Sequence, residues 1–142
     1  MNSILDIESF VYSHVRSDIL AAFTNVDCSS EYTENPASFP HVCIEMSDNT
    51  THAESMTAQQ REFAAEQTFT VNIFTISPTR KSDAKAIAAV VDSSLSTLGF
   101  RRAMYLRTPN IDRNIYRLTL RYNGIVSVGY DGNENHYKIT AR

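Results

Sequence analysis

Apolar residues recur along the first 23 positions at intervals of three and four, the period of an amphipathic helix. The recurring positions are Ile4, Ile7, Val11, Val15, Ile19 and Phe23. Ser3 followed by Asp6 resembles a capping box at the start of this helix. The period is lost between Asn25 and Pro40, where Ser, Asn and Pro residues predict a long polar connection.

Alternation of apolar and polar residues replaces the helical period in the next two segments. A short strand is predicted around Val42, Ile44 and Met46, which alternate with polar or small residues. A second strand is predicted over 66–76, with Phe69, Val71 and Ile73 on one face. Pro78 ends it, because proline cannot continue the ladder of hydrogen bonds.

The segment between these two strands, residues 47–62, is polar and shows neither period. A loop of this length inside a compact domain is usually functional or disordered. We interpret it as a long flexible loop that becomes ordered only in an assembly, because it offers Met56 and, just beyond it, Phe63 to a partner. An ordinary mobile loop is the alternative.

A second helix is predicted to start at Ser82 or Asp83, with one apolar face. The residues of that face are Ala84, Ile87, Val91, Leu95 and Leu98. Gly99 fits the left-handed position that follows a helix, and Phe100 comes next, as in a Schellman motif. The end of this helix is therefore better marked than its beginning.

Two hairpin turns compete in the last third of the chain, and the alternation decides between them. A turn at Asn123-Gly124 would place apolar residues opposite polar ones. A turn at Gly132-Asn133 leaves one long strand before it and pairs Val128 with Tyr137 and Val126 with Ile139. We therefore place the turn at Gly132-Asn133 and interpret Gly124 as a bulge or a point of close packing.

These elements follow the order α-β-β-α-β-β, with a further short strand near 102–106 as an alternative. The order predicts an α+β fold in which an antiparallel sheet of about four strands carries two helices on one face. The length of 142 residues fits one domain, 1–142. Within it, 1–36 form the first helix and the polar connection, and 37–142 form the remainder.

Charge is distributed unevenly behind a net charge of −3. Residues 1–67 carry 2 basic and 11 acidic side chains, whereas residues 68–122 carry 9 basic and 3 acidic ones. The net charges of these two segments are −9 and +6. Such asymmetry is typical of a nucleic-acid face or of unlike patches that meet between subunits, and it also arises without any patch.

The basic residues include a regular series on the predicted long strand. Arg113, Arg117 and Arg121 lie four apart, on the face opposite its apolar residues, and Arg101, Arg102 and Arg107 are near in sequence. Three interpretations remain open: ion pairs with another subunit, contact with phosphates, or a solvated sheet face. The candidate subunit interface comprises Arg113, Arg117, Arg121, Arg101, Arg102, Met56 and Phe63.

Motifs for chemistry are missing from the sequence. The four histidines show no metal-site spacing, and no nucleophile elbow, P-loop or dinucleotide fingerprint occurs. Cys28 and Cys43 are expected to be reduced thiols, with Cys43 in the core. We therefore predict no catalytic residues, no metal and no cofactor. No apolar run approaches the ~18 residues of a membrane span, so no membrane partner is expected.

Five short runs resemble one family in their order and spacing: 39–45 (FPHVCIE), 68–74 (TFTVNIF), 84–92 with 98–102 (LGFRR), 115–122 (IYRL at its start) and 131–138. They are similar to blocks in the tail-terminator, or tail-completion, proteins of long-tailed phages and prophages. The resemblance covers roughly 37–140 and rests on degenerate motifs.

The resemblance implies a structural protein and not an enzyme. Such proteins form a homo-oligomeric ring, a hexamer, that stops polymerisation of the tail tube and docks the head–tail connector. The implied partners are further copies of the chain, the tail tube protein and the connector protein, with DNA only passing through. The implied location is the tail or neck of the virion, after assembly in the host cytoplasm. A head-completion or neck connector protein is the alternative, followed by a nucleic-acid-binding module and a small enzyme.

Overall fold

The structure is a computed structural model that describes residues 4–33, 35–51, 64–131 and 134–140. Its elements are α1 (Glu8–Ala22), β1 (Asp27–Ser29), β2 (His41–Thr51), β3 (Ala64–Thr75), α2 (Arg80–Leu98), β4 (Arg101–Thr108), β5 (Tyr116–Asp131) and β6 (Glu134–Thr140). The predicted α+β class and the two predicted helices are confirmed.

The sheet differs from the prediction in size and in direction. Six strands form one sheet in the order β1-β2-β3-β5-β4, with β6 also paired to β5. All pairs are antiparallel except β1 and β2, which run parallel. The four-stranded antiparallel sheet is therefore wrong. The alternative with a further short strand near 102–106 is confirmed, because that segment lies in β4. The three residues of β1 are too few for alternation to reveal.

The long strand β5 was predicted correctly from its alternation. It pairs with β3 along one side, and on the other side first with β4 and then with β6. Val126 lies opposite Ile139 and Val128 opposite Tyr137, the register that the apolar positions predicted. Gly124 is a point of close packing, because a Cβ atom added there would lie 2.8 Å from Cδ1 of Phe100.

Both helices pack on one face of the sheet, and the main core lies between the two layers. The stripe of α1 buries Val11, Val15 and Ile19, as the helical period predicts. Ile4 does not belong to it and is 80% exposed. The helix begins at Glu8, whose N–H donates to Oδ1 of Asp6 at 2.9 Å. The predicted capping box falls partly outside the described residues, since it includes position 3.

The second helix starts earlier than predicted and ends as predicted. It begins at Arg80, and the carboxylate of Asp83 in its first turn accepts hydrogen bonds from the hydroxyls of Ser77 and Thr79. At its end Gly99 has φ +112°, and the N–H of Phe100 donates to the carbonyl of Leu95. The Schellman motif is thus confirmed.

The predicted flexible loop over 47–62 is wrong for its first five residues. Residues 47–51 continue β2 and pair with β3, with Thr50 opposite Glu66. The sequence pattern did not predict this part of β2, because its side chains are polar. An exposed stretch of strand needs no alternation of apolar and polar residues. The remainder of the predicted loop lies outside the described residues, as do Met56 and Phe63.

The face of the sheet opposite the helices has a small core of its own. Cys43, Phe74 and Ile115 are buried there, and Tyr32 and Phe39 from the connection before β2 pack against them. Neighbouring polar strand residues are also buried, namely Thr70, Asn72 and Thr119. This face is therefore not simply a solvated surface. Cys43 is a core thiol, as predicted, and both cysteines are free.

Candidate subunit interface

The basic segment of the chain supplies one side of the sheet. β4 is the last strand in the sheet order, and its residues are exposed or half-buried. Tyr105 and Leu106 in its middle are 43% and 45% exposed. Edge strands are commonly protected by charges and bulges. β4 has both, since arginines flank its centre and its register shifts between Arg102 and Met104.

Two of the predicted interface residues lie at the start of this strand. Arg101 and Arg102 are both exposed. Nη1 of Arg102 donates to Oδ1 of Asp92 on α2 at 3.2 Å, and its guanidinium lies 5.6 Å from the ring centre of Tyr105. Arg102 is thus engaged with its own chain, although half of its side chain remains exposed.

Arg117 is half-buried and bound to its own chain, so it is not a free interface cation. Its guanidinium lies 4.9 Å from the ring centre of Tyr32 and 5.9 Å from that of Phe74. Its Nε donates to Oδ1 of Asn72 at 2.9 Å, and the same oxygen accepts from Thr119. Stacking on two rings and a hydrogen bond to a buried amide tie this side chain to the small core.

Arg113 and Arg121 do not form one row with Arg117. Arg121 lies on β5 on the same face as Arg117 and is exposed, as predicted. Arg113 precedes β5 and lies in the loop 109–115, so its placement on the long strand was wrong. The chain turns there because the N–H of Asn114 donates to Oδ1 of Asp112, and that of Ile115 to the Asp112 carbonyl.

The loop that carries Arg113 forms a cleft with the end of β4. This arginine cleft has a volume of about 420 Å³ and is lined by Arg107, Pro109, Asn110, Arg113 and Ile115. No salt bridge of either arginine occurs within the described residues. The arginine cleft therefore combines two exposed cations with an amide side chain and an apolar wall.

Acidic residues lie at the other side of the sheet. The segment 1–67 supplies α1, β1, β2 and the first four residues of β3. In the sheet order, β1 and β2 lie at the edge opposite β4. Asp27, Glu31 and Asp48 are exposed on this side. The charge asymmetry of the sequence is thus an asymmetry across the sheet, with carboxylates on the β1–β2 side and guanidinium groups on the β4 side.

One polar cluster on the acidic side was missed by the sequence analysis. Nδ1 of His41 lies 3.1 Å from Oδ2 of Asp27, and its Nε2 lies 3.0 Å from Oγ of Ser29. The parallel pairing of β1 with β2 brings these residues together. Their separations of 12 and 14 positions match no local motif, so no signal in the sequence would have identified them.

The hydroxyl of Ser29 has three polar neighbours in this cluster. Nε2 of His41 lies 3.0 Å from it, the carbonyl of Glu31 2.8 Å and Sγ of Cys43 3.5 Å. When Nδ1 of a neutral His41 donates to Asp27, Nε2 is an acceptor, so the imidazole, the carbonyl and the sulfur compete for the one hydroxyl proton. The contacts of the three side chains join β1 to β2.

Neither a metal cluster nor a membrane-spanning helix occurs in the described ranges. No group of three or more His, Cys, Asp or Glu residues within them is arranged to hold a metal ion. None of their helices is both long and apolar enough to cross a membrane.

No protein-family model matches this chain, and no curated protein matches it at a significant level.

Proposed function

We propose that this protein is a tail terminator of a long-tailed phage. In this role copies of the chain form a closed ring, a hexamer, that caps the tail tube and presents a surface to the head–tail connector. Its place is then the tail or neck of the virion, after assembly in the host cytoplasm. The protein acts by binding other proteins, without catalytic residues or a cofactor, and DNA only passes through.

The five runs that resemble this family support the proposal by where they lie in the fold. Each coincides with a structural element or a junction between elements: 39–45 with the start of β2, 68–74 with β3, 84–102 with α2 and the start of β4, 115–122 with the first half of β5, and 131–138 with the end of β5 and β6. The resemblance thus follows the architecture of the sheet layer and of its covering helix.

The observation that carries the proposal is the charge asymmetry across the sheet. A closed ring needs a heterologous interface, in which two different patches of the same chain meet. The β4 side carries Arg101, Arg102 and Arg107, whereas the β1–β2 side carries Asp27, Glu31 and Asp48. Opposite charges on opposite edges allow copies to join head to tail, and they disfavour joining two like edges.

Electron microscopy of negatively stained samples tests the proposal directly. The purified protein alone should form rings, and in a mixture with tail tubes these rings should lie on tube ends. Rings that bind heads but never tube ends would support a head-completion or connector protein instead. Monomers that leave tubes free to elongate would contradict both roles.

The contribution of charge is tested by salt and by charge reversal. Raising salt from about 50 to 500 mM brings the Debye length well below ~10 Å and should weaken ring formation.

The variant Arg113→Glu/Arg121→Glu should remain folded and assemble poorly, as light scattering would show. Arg117 is left intact because its reversal would disrupt the small core. The matched control is Arg16→Glu/Lys81→Glu, which makes the same charge change at exposed positions of α1 and α2.

A further inference from the structure

We infer that the arginine cleft is an oxyanion site, and that it receives the carboxylate of an acidic side chain from a second copy of this chain. The inference rests on the proposed ring and specifies one contact within it. The cleft lies where β4 ends and the loop before β5 begins, on the basic side of the sheet.

Two guanidinium groups line this cleft, and its described lining includes no carboxylate. Arg107 comes from β4 and Arg113 from the loop, and both are exposed. Neither forms a salt bridge with any described residue. Two like charges that face one cleft repel each other, and an anion between them removes that repulsion. The fork of N–H donors on each arginine matches the two oxygens of a carboxylate.

Asn110 is the second observation that indicates a ligand. It lines the same cleft, and its Nδ2 is buried and has no acceptor within the described ranges. Buried amide donors are nearly always paired in native structures, and an unpaired one requires an explanation such as a missing water or ion. An oxyanion held by the two arginines would bring an acceptor to this part of the chain.

The cleft is shaped before any ligand arrives. The guanidinium of Arg107 lies 5.1 Å from the ring centre of Tyr116, which restricts its position. Nη1 of Arg80 donates to the carbonyls of Asn114 at 2.9 Å and Arg113 at 3.4 Å, and so fixes the loop. Binding therefore requires little ordering of the chain, which favours affinity.

The distribution of charged residues favours a neighbouring copy of the chain as the source of the carboxylate in the arginine cleft. Exposed acidic residues of this chain, such as Glu31 and Asp48, lie toward the β1–β2 side, with β3 and β5 between them and β4. In a head-to-tail ring, however, the acidic side of one copy meets the basic side of the next. A nucleic acid is less favoured, because the net charge of −3 opposes the approach of a polyanion.

Self-association of three variants tests the inference. Sedimentation velocity at about 50 mM salt would compare Arg107→Gln and Arg113→Gln with the matched control Lys81→Gln, which removes an exposed cation of α2 outside the cleft. Both cleft variants should associate about ten-fold more weakly than the parent, and the control should equal the parent. Circular dichroism would establish that all three remain folded.

The contribution of the Asn110 side-chain amide to anion binding is tested separately, with inorganic phosphate as the probe. NMR titration of the parent should shift the Asn110 side-chain signals and the Nε signals of both arginines. Asn110→Asp should abolish this binding, because it replaces a donor by a negative charge. Unchanged or tighter binding by Asn110→Asp would contradict the site, as would a parent in which phosphate moves none of these signals.

The outcomes separate this inference from the proposed function. If the parent forms rings and the cleft variants form them equally well, the inference fails and the ring remains. If the parent is monomeric at every concentration, both fail. If the cleft variants lose binding to duplex DNA but keep self-association, the cleft takes phosphates of nucleic acid, and the second copy is excluded as its occupant.

Discussion

The hydroxyl of Tyr122 on β5 donates a hydrogen bond of 2.7 Å to Oδ1 of Asp92 on α2. The tyrosine is fully buried in the main core, and the carboxylate lies at its rim, where Arg102 also binds it. Burial raises the pKa of the Tyr122 hydroxyl above its usual value, and the hydrogen bond to Asp92 raises it further. One polar contact thus connects the sheet, the covering helix and the basic edge strand.

Tyr122→Phe should therefore lower the free energy of unfolding by about 1.5–3 kcal/mol, the range for a hydrogen bond to a charged group. Urea denaturation would measure the change. Asp92→Asn is the matched comparison, because it keeps the shape of the side chain at position 92 and removes the negative charge that forms the ion pair with Arg102. Equal stability of parent and Tyr122→Phe would show that the hydrogen bond contributes nothing net.

Gly124→Ala should lower the free energy of unfolding by about 1–3 kcal/mol, since it adds a methyl group to a filled core. The new Cβ would lie 2.8 Å from Cδ1 of Phe100 and 3.1 Å from Cγ2 of Ile139. Thermal denaturation would measure the loss. Gly124→Ala/Phe100→Leu should recover part of it, because the smaller side chain leaves room. A double variant less stable than the sum of both single changes would contradict this explanation.

Arg117→Gln should lower the free energy of unfolding by about 2 kcal/mol, because it removes the stacking on Tyr32 and Phe74 and the hydrogen bond to Asn72. Arg121→Gln on the same strand face should change it by less than about 0.5 kcal/mol, as for an ordinary surface position. Chemical denaturation of the pair would distinguish the two roles. Equal effects would mean that the arginines share one role after all.

Cys28 should react slowly with iodoacetamide in the folded protein. Burial, as the largest cause, raises its pKa from 9.0 to about 11. At pH 8 the thiolate population then falls about 100-fold relative to an ordinary thiol, and the thiolate is the reactive form. Peptide mapping by mass spectrometry would give the rate of alkylation of Cys28, with urea-unfolded protein as the control.

The same shift has a definite sign in stability. Between pH 9 and 11 the unfolded chain loses the Cys28 proton while the folded chain retains it, so stability falls as pH rises through this window. Cys28→Ser should make the decline shallower. A rate of alkylation at pH 8 equal to that of the unfolded control would contradict the raised pKa.

Elements with local signals can be identified from the amino-acid sequence. The apolar period over Val11, Val15 and Ile19 identified α1, and Gly99 with Phe100 marked the end of α2. The register of β5 with β6 followed as well, because a slip by one residue would exchange the two faces of the strand. In each case neighbouring residues along the chain carry the whole signal.

Contacts between residues remote in sequence depend on how the elements pack in three dimensions. Arg113, Arg117 and Arg121 have equal spacing and chemistry, yet folding places one in the arginine cleft, one on aromatic rings and one in solvent. The pairing of His41 with Asp27 likewise depends on the parallel contact of β1 with β2. Periodicity reports which face of an element is apolar; the partner that a charged side chain finds depends on long-range packing, which no local pattern encodes.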